Sequence, residues 1–171
     1  MVSASLTAVG IGATILLLLC SAFFSSTEIA IFSLSPEWID ERATTGDPEA
    51  VTLQELRSNP HRLLVTVLVG NNVVNIAISS ILTVLVASIA PAGIAVVVTT
   101  LVASLVILVF GEIVPKAFGL GNAESWSLTA APVVGIIERV LSPVITVLEA
   151  ITTRMNALLD ADSGIEKPYV D

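Results

Sequence analysis

Polar positions are sparse along this chain, and the gaps between them define its elements. No charged side chain occurs from Ala4 to Cys20, and the apolar pattern runs on to Leu34 although it takes in Ser21, Ser25, Ser26, Thr27 and Glu28. Residues 63–111 hold no Asp, Glu, Lys or Arg. As a single helix that stretch would be roughly 73 Å long, about twice the ~30 Å hydrocarbon core of a bilayer. It therefore reads as two spans joined through Ala90-Pro91-Ala92-Gly93, whose proline and glycine suit a turn. The pattern predicts an all-α membrane protein with three transmembrane helices, at about 4–33, 62–89 and 93–115.

The segments between and after the spans are shorter. Ser35-Pro36-Glu37 has the form of an N-cap, a proline at the first helical position and an acid in the first turn, so a cytoplasmic helix is expected over about 36–44. Thr45-Gly46-Asp47-Pro48-Glu49 ends it and opens a second, over about 47–58, before Asn59-Pro60 starts the next span. Beyond Gly119-Leu120-Gly121-Asn122, two mostly apolar helices are expected, divided at Ser142-Pro143. They carry Glu138, Arg139, Glu149 and Arg154 and are short for full spans, so they read as interfacial, juxtamembrane helices. A fourth span through about 128–148 is the lesser alternative. On this reading residues 1–122 form the transmembrane core, 123–160 the juxtamembrane helices and 161–171 a tail linking to a further cytoplasmic domain.

Composition agrees with a membrane protein: 54% of residues are hydrophobic, 13% are charged and the mean hydropathy is +0.94. The basic residues Arg42, Arg57, Arg62, Lys116, Arg139, Arg154 and Lys167 all lie between spans one and two or from the end of span three onward. The positive-inside rule then places the N-terminus outside and the C-terminus in the cytoplasm of a multi-pass cell-membrane protein. A net charge of −8 argues against nucleic acid and can concentrate cations at that side. The first span lacks a basic n-region and is too long for a signal peptide. The lone Cys20 excludes an intrachain disulfide and packs as a small apolar residue. No nucleophile–base pair or phosphate-cradling loop appears, so an enzyme is not expected.

Polarity inside the spans is costly unless it meets a partner or a wet cavity. Three clusters stand out. Ser21, Ser25 and Glu28 share one helix face in span one, as do Asn71 and Asn75 in span two, with Asn72 turned about 100° away. Gly111-Glu112-Ile113-Val114-Pro115-Lys116 closes span three. Pro115 has no N–H for the carbonyl four residues back, Gly111, so it leaves an accessible oxygen beside Glu112 and marks a helix break or hinge. All three clusters are expected in the cytoplasmic half of the bundle. Two hydroxyls, two amide carbonyls, a backbone carbonyl and a carboxylate suit a hard cation, Mg²⁺, Ca²⁺ or Na⁺. Glu28 and Lys116 are candidate ion-pairing residues, and His61, beside Arg62, reads as interfacial.

Ser21-Ala-Phe-Phe-Ser25-Ser-Thr-Glu28, Gly70-Asn71-Asn72-Val-Val-Asn75 and Gly111-Glu112-Ile-Val-Pro115-Lys116 together resemble, in order and spacing, the CNNM/CorC membrane domain. The resemblance implies a homodimer in the lipid membrane, each protomer with three spans and a belt of juxtamembrane helices. It implies Mg²⁺ transport, described for the family as Na⁺-coupled extrusion from the cytoplasm. It carries the ion site onto Ser21, Ser25, Asn71, Asn75 and Glu112, with Gly111 lending its carbonyl, and it implies a following pair of ATP-binding CBS modules. The rival expectation is a membrane-anchored Mg²⁺ sensor that regulates other transporters without moving the ion itself.

Overall fold

The computed structural model describes residues 4–159, and their regular structure is entirely helical. Helix α1 runs Ala4–Ser33, α2 Pro36–Thr44, α3 Pro48–Arg57, α4 Pro60–Ala87 and α5 Ala92–Val106. A π-helical segment, Ile107–Ile113, leads into α6, Val114–Gly121, and α7 spans Ala123–Leu159. Three starts share one device. Ser35 accepts a hydrogen bond from the Trp38 N–H at 3.2 Å, Asp47 from Glu49 at 3.1 Å and Asn59 from Arg62 at 3.1 Å, each with proline next. Gly46, at φ 81°, makes the left-handed turn between α2 and α3 that a side chain would strain.

Helix α1 is central: it packs against α4, the π-helical segment, α6 and α7. The best-buried core joins the C-terminal part of α1 (Phe24, Ile31) and Leu34 just after it to Ile39 of α2, Leu53 and Leu56 of α3, Leu63 and Val67 of α4, and Ala131 and Val134 of α7. Two glycines set how closely the spans approach. A Cβ on Gly70 would lie 2.5 Å from the Phe24 ring, and one on Gly119 would overlap the Ser26 carbonyl. Elsewhere the long helices turn Val9, Leu16, Ile76 and Leu101 outward, where hydrocarbon is their natural solvent.

Two expectations change. Span three does not stop near residue 115; the helical path continues through Pro115 to Gly121, by way of the π-helical register. Residues 123–159 form one helix and not two, with Pro132 and Pro143 inside it. Each proline removes an N–H and should weaken the helix there. Tertiary contacts outweigh that cost at Pro143: the Arg62 guanidinium meets Glu138 before it (2.9 Å), Ser142 beside it (2.7 Å) and Glu149 after it (3.3 Å). As a continuous helix α7 is long and apolar enough to cross a bilayer over Ala123–Thr152, so among the described residues four helices meet that requirement where three were expected. The expected tail, 161–171, lies outside the described residues.

Candidate cation site

Hydroxyls in membrane helices usually satisfy themselves on the carbonyl one turn back. Thr14, Ser26, Thr66, Ser80, Thr83 and Thr100 all do so here, at 2.7–2.9 Å. Ser21 does not. Its fully buried Oγ stands 3.0 Å from Asn71 Oδ1 and 2.8 Å from Asn75 Oδ1. One hydroxyl proton reaches both carbonyls only as a shared, three-centre bond. Three oxygens therefore converge with a single hydrogen between them, an arrangement short of donors and suited to a cation.

The π-helical segment supplies the third wall. Gly111 is buried against Ser21 so closely that a Cβ there would lie 2.7 Å from Ser21 Oγ. The Val114 N–H bonds the Val109 carbonyl, five residues back. In that register the following residue would serve Phe110, and in α-helical register Gly111; Pro115 has no N–H for either. Single turns of π-helix recur at functional sites because they re-aim a backbone group or side chain. Here the turn includes Gly111 and Glu112.

Two further groups lack partners among the described residues. Ser25 is fully buried with its hydroxyl unbonded. The half-buried Glu112 carboxylate forms neither an ion pair nor a hydrogen bond. A half-buried carboxylate without a partner is costly within a membrane span, which argues for a partner that arrives from outside the chain. The candidate pair Glu28 and Lys116 lies 3.2 Å apart, Oε2 to Nζ, across α1 and α6. Asn72 is exposed and gives its amide to the Leu68 carbonyl at 2.9 Å, apart from the cluster.

The cluster is deep. Ser21 is about 18 Å along α1 from its C-terminal end and Asn75 about 20 Å along α4 from Arg62, depths close to the middle of a ~30 Å core. No group of three or more His, Cys, Asp or Glu side chains converges among the described residues. A metal held here would thus be held chiefly by neutral oxygens, with Glu112 the carboxylate at hand. That donor set fits a hard cation, which exchanges water for hydroxyl and carbonyl oxygens.

Sequence reasoning did not single out Thr27, Thr99, Ser127 or Trp126, whose buried polar atoms also lack partners. These groups sit off the periodic stripes, so spacing alone could not find them. Arg62 was missed as a hub, although Glu138 and Glu149, isolated acids in an apolar helix, each needed a basic partner.

The comparisons with known proteins cover nearly the whole chain. The pattern of the cyclin M transmembrane N-terminal domain (CNNM) matches residues 12–171. The UPF0053 inner membrane protein YfjD of Escherichia coli (strain K12) is 29% identical over 146 residues, covering 85% of this chain and 34% of that protein. A chloroplastic DUF21 domain-containing protein of Arabidopsis thaliana is 33% identical over 151 residues, 88% of this chain and 22% of its own length. A UPF0053 protein of Haemophilus influenzae is 28% identical over 160 residues, 91% of this chain and 38% of its own. The chain thus spans well under half the length of these curated relatives.

Proposed function

The chain belongs to the cyclin M transmembrane-domain family, and on that footing we propose that it carries Mg²⁺ out of the cytoplasm in exchange for Na⁺. The site is the cluster of Ser21, Ser25, Asn71, Asn75 and Glu112, with the Gly111 carbonyl. The observation that carries this reading is the convergence of two amide carbonyls on one hydroxyl, at 2.8 and 3.0 Å, on the helix junction that also holds an unpaired carboxylate and an unpaired hydroxyl. Before an ion enters, the Ser21 proton bridges to one asparagine. Entry of the cation turns that proton away and presents all three oxygens to the metal. A single carboxylate balances Na⁺ fully but leaves Mg²⁺ with excess positive charge, which favours transient occupancy and exchange over permanent binding.

The topology we propose keeps three spans, with α7 along the cytoplasmic face. Arg62, in the first turn of α4, pairs with Glu138 and Glu149 in the middle of α7, and Thr52 of α3 lies 3.6 Å from the position of a Cβ on Gly135. Those contacts support this topology, because they join the middle of α7 to a helix start and a short loop helix. The N-terminus is then outside, and the working unit is a homodimer.

Reconstitution into liposomes tests the function. Mg²⁺ should move when a Na⁺ gradient is imposed, and Glu112→Ala should abolish that movement while leaving a folded dimer. A protein that binds Mg²⁺ but moves none under either gradient is a sensor; unchanged transport in the variant removes Glu112 from the mechanism.

A further inference from the structure

A carboxylate and an ammonium, Glu28 and Lys116, meet where α1 passes α6, and a second carboxylate, Glu112, precedes the lysine by four residues. Glu28 continues the helix face of Ser21 and Ser25, and Lys116 follows Glu112 by four residues, the spacing at which side chains on one helix meet. Glu112 is therefore the partner that local geometry offers Lys116. The ammonium nevertheless lies 3.2 Å from Glu28 Oε2 on the other helix, and Glu112 is left without a partner among the described residues. The helices also pack closely beside the pair, where Gly119 comes against the Ser26 backbone. Both side chains keep substantial exposure, 43% for Lys116 and 32% for Glu28, and a pair so exposed adds little stability.

We propose that Lys116 is a built-in competitor for the transported cation, and that Glu28 sets the affinity of the site by holding the ammonium away from Glu112. The inference rests on the reading of the Ser21–Glu112 cluster as the cation site. A carboxylate neutralised by a tethered ammonium has far less attraction for a divalent ion, so moving Lys116 by one ion-pair partner changes occupancy without altering any ligand. Glu28 is a positioning residue in this scheme.

The experiment combines Mg²⁺ titration calorimetry on the purified full chain with the Mg²⁺-free structure of one variant. Glu28→Gln should weaken binding about fivefold to tenfold, because the released ammonium moves to Glu112. Lys116→Met should bind as well as the wild type or more tightly, and adding Lys116→Met to Glu28→Gln should restore the affinity of Lys116→Met alone. A double variant as weak as Glu28→Gln would overturn the inference, as would wild-type affinity in Glu28→Gln. The Mg²⁺-free structure of Glu28→Gln decides the lysine's part separately. Nζ within hydrogen-bonding distance of Glu112 is expected, and an ammonium that stays away from it overturns the inference whatever Mg²⁺ does. Absence of Mg²⁺ binding by the wild type would instead overturn the site reading.

Discussion

Ser21 is the residue on which the three walls meet. Its hydroxyl lies between Asn71 and Asn75, and its Cβ and Oγ fill the space that Gly111 leaves empty. Ser21→Ala removes the shared proton and one candidate ligand, and leaves two amide carbonyls facing each other. We expect a stability loss of only about 1 kcal/mol, since hydrogen bonds inside membrane proteins average less than that, but at least a tenfold loss in Mg²⁺ affinity. Thermal unfolding and calorimetry on the same preparation check the two numbers against each other. At this scale much of the candidate site was legible. Serines and asparagines one turn apart in otherwise apolar helices announce a shared face, and the unpaired Ser25 and Glu112 fall on positions that spacing selects. Thr27 and Ser127 did not announce themselves, because an unpaired hydroxyl off the stripe looks in sequence like one bonded to its own backbone.

Among the elements, those with local causes were readable and those with tertiary causes were not. The caps at Ser35, Asp47 and Asn59 each pair a short polar side chain with a following proline, and the helices begin there. Proline inside a helix was the misleading signal. Pro115 and Pro143 both look like ends, yet the chain passes the first by a change of register and the second under the splint of Arg62. Nothing local encodes either outcome: Gly111 of the π-helical segment packs against Ser21 of another helix, and the splint comes from a residue 76 positions from Glu138. Arg62→Met should therefore strand two mostly buried carboxylates, destabilise the protein by about 2 kcal/mol and expose α7 to protease near Pro143. Limited proteolysis and a thermal melt measure both effects, and a variant as resistant as the wild type would contradict the splint.

For the whole molecule, hydropathy does not distinguish a helix that crosses the bilayer from one that lies along it. Residues 123–152 are apolar enough to cross, and only the contacts of Glu138, Glu149 and Gly135 with α4 and α3 argue for the membrane face. In a Cys20→Ala background, Arg154→Cys, exposed just beyond the apolar stretch of α7, should react with a membrane-impermeant thiol reagent from the cytoplasmic side alone; reaction from the outside would make α7 a fourth span. The central claim is that Ser21, Asn71, Asn75 and Glu112 bind the transported ion. Anomalous diffraction from crystals grown with Mn²⁺, an oxygen-ligated stand-in for Mg²⁺, tests it most directly. A peak is expected at about 2.0–2.3 Å from Ser21 Oγ, both asparagine carbonyls and a Glu112 oxygen, with the Ser21 proton turned away. Mn²⁺ bound only elsewhere, with Ser21 still hydrogen-bonded to its asparagines at saturating metal, would contradict it.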